Sequence, residues 1–178
     1  MNSGVHRPKQ PDIIRARILE ACVALLADGY GLSIGSVAEA AEVTKGAVQH
    51  HFGTRAELLM AFYELVLADM DKEIGESSDA ETAAQRYVKA TFKLLPCDQE
   101  NQRHRALLAA TVNEPAVAQT WAKWVENDRK NDSASIGQLI ARLASDGLWL
   151  SETLGTYQLS SEEKMQLQGA LENMCKPG

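Results

Sequence analysis

The chain has 178 residues, of which 45% are hydrophobic and 24% charged, with only 5 prolines. That composition excludes a disordered polymer and suits one domain, or a small head packed on a larger body. No apolar run approaches the roughly 18 residues of a membrane span, and the opening MNSGVHRPKQ lacks the apolar segment of a secretory signal, so a cytoplasmic protein is expected. The formal net charge of −6 argues at first against a nucleic-acid partner, because neutralising phosphates needs Lys and Arg.

The distribution of charge changes that reading. Residues 1–60 hold six basic groups (Arg7, Lys9, Arg15, Arg17, Lys45, Arg55) and six acids, whereas the remainder holds twelve basic groups and eighteen acids. A neutral head can meet DNA if folding gathers its cations on one surface. The three cysteines (Cys22, Cys97, Cys175) form no CxxC pair, so neither a disulfide framework nor a thiolate metal site is indicated.

Helical periodicity dominates, and an all-α protein is expected. After an N-terminal arm, Ile14, Ile18, Cys22, Leu25 and Leu26 line one stripe of a first helix from about Asp12 to Asp28, stopped at Gly29-Tyr30-Gly31. Ser33 caps a short helix carrying Ile34, Val37, Ala38 and Ala41. The chain turns at Glu42-Val43, Thr44 caps a second short helix through His51, and Gly53 closes it. Thr54 and Glu57 form a capping box for a long helix from Arg55 to about Ile74.

Further on, Asp79 is expected to cap a helix from about Ala80 to Leu95, ended by Pro96. A helix around Arg103 to Val112 follows, and Pro115 sits in the first turn of another. From Pro115 to Ser145 the only strong breaker is Gly137, which leaves one helix of about thirty residues or two abutting ones open. Asp146-Gly147 is expected to end it, a short apolar piece runs from Leu148 to Leu154, and Ser160 or Ser161 opens a last helix to about Met174.

Two short helices joined by a tight turn and flanked by longer ones suit a helix-turn-helix, since helices this short need tertiary support. Val48 and Phe52 are four apart and share an inward face, leaving Lys45, Gly46, Ala47, Gln49 and His50 on an outward face that is small, polar and weakly basic, as a major-groove helix requires. The neighbouring His50 and His51 point about 100° apart on a helix and carry no metal-ligand spacing.

The segment LSIGSVAEAAEVTKGAVQHHFGTRAELL resembles the DNA-binding head of TetR-type regulators, through Ser33, Val37, Ala38, Ala41, Val43, Thr44, Gly46, His51, Phe52, Thr54, Arg55 and Leu58. Three positions depart from the family pattern. Glu42 replaces the turn glycine, which asks a residue with a side chain to accept a left-handed backbone at about 1 kcal/mol, or the turn to differ. Gln49 replaces a tyrosine that contacts the DNA backbone, and can instead pair with adenine. Arg55 replaces a lysine and keeps its charge and phosphate reach.

The resemblance implies that residues 1–54 form the arm and DNA-binding head and residues 55–178 a ligand-binding and dimerisation body. It implies DNA contacts from Ser33, Thr44, Lys45, Gly46, Ala47, Gln49, His50, His51 and Arg55, with Arg7 and Lys9 in the arm. It implies a small-molecule cavity among the central helices, lined by a subset of Phe62, Tyr63, Tyr87, Phe92, His104, Trp121 and Trp124. It also implies a homodimer through the C-terminal helices, with Trp149, Leu154, Leu167, Leu171 and Met174 as contact candidates. Repression of a palindromic operator, released by ligand, is the expected outcome, with activation as the alternative. No cofactor, metal or membrane partner is called for, and no nucleophile, acid/base pair or metal set stands at a spacing that would make a helical enzyme. A helical interaction module without DNA binding is the other rival.

Overall fold

The computed structural model describes residues 10–75, 80–95, 101–133 and 135–176. These form helices α1 (Gln10–Ala27), α2 (Ile34–Ala40), α3 (Lys45–Phe52), α4 (Arg55–Ile74), α5 (Ala83–Lys93), α6 (Asn101–Asn113), α7 (Pro115–Arg129), α8 (Ile136–Leu154) and α9 (Ser161–Met174). The all-α expectation holds. Among the described residues no helix is long and apolar enough to cross a membrane.

The first four helices end and begin where their side chains dictate. The chain leaves α1 through Gly29 at φ 77°, and Tyr30 N donates to Leu25 O at 2.9 Å. The α2 cap is reciprocal, Ser36 N to Ser33 Oγ and Ser33 N to Ser36 Oγ, both 3.0 Å. Ala47 N donates to Thr44 Oγ1 at 3.0 Å to open α3, and Thr54 N to Glu57 Oε2 at 2.8 Å to open α4. At the turn between α2 and α3, Glu42 takes φ 53°, so this residue accepts the left-handed backbone that a glycine would adopt freely.

Beyond α4 the elements depart from expectation in three places. Asp79 and Pro96 lie outside the described residues; α5 begins at Ala83, where Thr82 and Gln85 form the capping box. The reach from Pro115 to Ser145 is two helices, the first ending at Arg129 and the second beginning at Ile136, so the break does not fall at Gly137. Gly137 lies in the first turn of α8, where a Cβ would come within 2.5 Å of Met174 O, so its role is close packing against α9. Asp146-Gly147 does not end α8, which continues to Leu154 and stops at Gly155 with φ 68°. A lone helical glycine costs only about 1 kcal/mol, and burial of Leu148, Ser151 and Thr153 beyond it carries the helix through.

Head and body share a core. Ile18, Cys22, Val37, Val48, Phe52 and Leu58 pack in one cluster with Ala106 and Ala110 of α6 and Val117 of α7. A second cluster joins Ala84 and Val88 of α5 to Ala141 of α8 and to Leu171 and Cys175 near the chain end. A third joins Met70 to Tyr87 and Ala90, with Trp124 against it.

Candidate nucleic-acid interface and ligand groove

On α3, Val48 is fully buried and Phe52 nearly so, which turns the opposite side outward with Lys45, Gly46, Gln49 and His50 exposed and Ala47 and His51 half-buried. Ser33 and Thr44 are exposed at the two caps. Gly46 is open: a Cβ there would meet only Thr44 Oγ1, at 3.8 Å, so nothing inside the chain demands glycine. Lys45 lies back along α2, where a Cβ at Gly35 would stand 3.2 Å from its Cε. The His50 and His51 rings meet edge to face, 5.4 Å between centroids. Among the described residues no group of three His, Cys, Asp or Glu side chains is arranged to hold a metal. Arg7 and Lys9 lie outside the described residues.

The arginines of the head are placed differently from that outward row. Arg17 donates to Ala41 O at 2.6 Å and stands 3.7 Å from Glu42, bracing the strained turn. Arg15 covers the Phe52 ring at 4.8 Å. Arg55, expected beside the phosphates, turns toward the body: its Nε donates to Leu32 O at 2.7 Å and its Nη2 to Glu114, the residue between α6 and α7. That hydrogen bond holds the Glu114 carboxyl below the usual carboxylate range and raises the Arg55 guanidinium.

In the body, Trp121, Ala122, Val125 and Arg129 on α7, with Asp146 of α8, line a groove of about 450 Å³. Of the seven residues expected to line a cavity, Trp121 lines this groove. Trp124 stacks on Trp121 at 5.0 Å and Tyr87 lies against Trp124 at 6.2 Å, one layer behind. Phe62 and Tyr63 are core residues, both 1% exposed. Phe92 packs against the α5–α8–α9 cluster, and His104 Nδ1 accepts from Trp149 Nε1 at 2.6 Å.

Behind the groove lies a charged knot. Arg142, whose side chain is 3% exposed, donates to both oxygens of Asp132 at 2.7 and 3.0 Å and stacks over the Tyr87 ring at 4.6 Å. Asp128 Oδ2 is 2.7 Å from Arg142 Nη2 but makes no aligned hydrogen bond, so that contact is an ion pair only; Arg142 Nη1 is buried without a partner. Tyr87 donates to Asp146. Burial pushes the Asp146 carboxyl up, against the pull of Tyr87 and Arg142, and raises the Tyr87 hydroxyl, which therefore stays protonated and donating.

The dimer candidates also divide. Leu171 is buried within the subunit with Ala84, Val88 and Ala141, Leu167 packs beside it, and Trp149 is tied to His104, whereas Leu154 and Met174 are exposed. Leu154 belongs to an exposed apolar row: Ile136, Ile140, Leu143, Leu150 and Leu154, between 39% and 70% exposed, follow one another at three-, four- and seven-residue steps along one face of α8. Its signal is present in the sequence, but a helix ended at Gly147 conceals it.

A three-helix head with a short outward helix, set on a larger helical body, defines a DNA-binding transcriptional regulator. Residues 18–62 match the model for bacterial regulatory proteins of the tetR family, and residues 81–176 match the tetracyclin repressor-like C-terminal domain. The chain belongs to the TetR family. Its fold is shared by the multidrug binding protein EbrR in complex with imidazole (20% identity, 100% of this chain and 98% of that one, TM-score 0.65). It is shared too by Salmonella enterica GusR (16%, 95% and 98%, TM-score 0.66) and a transcriptional regulator from Rhodococcus sp. Rha1 (20%, 94% and 94%, TM-score 0.63). No curated protein matches the chain in sequence.

Proposed function

We propose that the chain is a ligand-responsive repressor, active in the cytoplasm as a homodimer that releases a palindromic operator when a small molecule enters the body. Residues 1–54 read DNA, and residues 55–178 bind the effector, join the subunits and perform no catalysis. The exposed row on α8 is the natural seam between two copies, since an apolar row of this length is otherwise left to water. Two α3 helices about 34–36 Å apart then enter successive major grooves on one face of the duplex. The groove beside Trp121 and Asp146 takes the effector, and a coupling of about 1–3 kcal/mol between groove and head suffices for a switch.

The observation that carries this reading is Gly46, open to solvent on the outward face of α3 and unneeded by internal packing. Replacing it with Ala removes a helix penalty of roughly 0.5–1 kcal/mol, so the variant keeps or gains stability, while the new methyl group stands between helix and bases. Binding of Gly46→Ala to the DNA upstream of its own gene, followed by fluorescence anisotropy, is expected to weaken by about tenfold, or about 1.4 kcal/mol. Undiminished binding would mean that α3 does not enter the groove.

A further inference from the structure

Arg55 and Glu114 come from different parts of the molecule. The first opens α4, two residues past the Gly53 that closes α3. The second stands at the N-cap position of α7, yet its side chain makes no capping bond there and turns instead to the arginine. The pair is open to water, its side chains 41% and 25% exposed, so a third charged group can approach it. A duplex seated on α3 brings one phosphate per roughly 1.7 Å of its axis, and Arg55 begins the helix that follows α3 after two residues.

We propose that Glu114 sets the DNA affinity of the head by competing with backbone phosphate for Arg55. The inference rests on α3 being the DNA-facing helix. Without DNA, the carboxylate occupies Nη2 and offsets the positive charge of Arg55; on binding, a phosphate oxygen displaces it. Lys could not serve in the same way, because the guanidinium holds Leu32 O through Nε while offering its other nitrogens to a second partner. Since the acid belongs to the α6–α7 corner and the base to the start of α4, the position of that corner sets how much of Arg55 DNA can use.

The test uses the full chain, as wild type, Glu114→Gln, Arg55→Gln and the double variant, titrated with a random-sequence duplex over a range of salt concentrations. Freed of its competitor, Arg55 in Glu114→Gln tightens binding about two- to fivefold per head, while the dependence of log K on log salt keeps its slope, because wild type and variant make the same phosphate contact once bound. In the Arg55→Gln background, adding Glu114→Gln is expected to change neither quantity. Unchanged or weaker binding by Glu114→Gln overturns the proposal, as does an equal gain in the Arg55→Gln background, which would reflect general removal of negative charge. A readout on the wild type guards against a folding defect: the Arg55 guanidinium NMR signal, assigned by its loss in Arg55→Gln, should shift on adding duplex, and a signal that stays fixed at saturation refutes the exchange. Failure of the wild type to bind duplex even at low salt would overturn the DNA-binding reading itself.

Discussion

The head and the body close their chain reversals by different means. Within the head, Ser33 with Ser36, Thr44 with Ala47 and Thr54 with Glu57 each join residues three apart. The body has such caps too, but its distinctive bonds join Arg142 to Asp132 ten residues away, His104 to Trp149 across 45, Tyr87 to Asp146 across 59 and Thr82 to Cys175 across 93. A region whose helix starts are fixed by local caps presents a fixed shape to an invariant partner such as duplex DNA. One built from distant bonds between charged and aromatic groups can vary its groove without disturbing the head's caps.

The largest test of this contrast is Arg142→Ala. It leaves Asp128 and Asp132 facing a cavity with no counter-charge, and breaking a buried pair in this way costs about 3–5 kcal/mol. Urea unfolding should show a loss of that order; a loss below about 1 kcal/mol would mean that the charged knot contributes nothing to holding α7 and α8 together. Next comes the seam. Ile140→Asp combined with Leu143→Asp places two charges per subunit on the exposed row of α8, and sedimentation should show dimerisation weakened by about a hundredfold or more, with binding to a two-site duplex falling in step. Equal dimer affinity would move the subunit contact elsewhere. Smallest is Glu42→Gly, which relieves the positive φ and gives up only a 3.7 Å exposed contact to Arg17, for a gain of up to about 1 kcal/mol in thermal stability. A loss instead would show that Arg17 needs that carboxylate.

Legibility of the sequence follows the same division. The caps at Ser33, Thr44 and Thr54, the inward Val48 and Phe52, and the awkward position of Glu42 could all be read because each depends on residues within one helical turn. The partners of Arg55 and Arg142 could not, because nothing at residue 55 marks residue 114, and nothing about an arginine in a helical stretch says that it is buried. Asp146 was hidden more subtly. Beside Gly147 it looks like a helix stop, yet it lies in the middle of α8 because packing on both sides outweighs a single glycine. An aromatic residue by itself does not tell core from groove: Phe62 and Tyr63 are both buried, and their large surface makes them core residues whatever else they touch.

The last helix has a consequence for how the chain is made. Cys175 O accepts from Thr82 Oγ1 at 3.2 Å and from Gln138 Nε2 at 3.1 Å, and Gln138 is 1% exposed. Until Cys175 has left the ribosome, the amide of Gln138 has no such acceptor and α5 and α8 have no lid. The caps of the head are all made by earlier residues and can form during synthesis, whereas the body must wait for Cys175 before it locks.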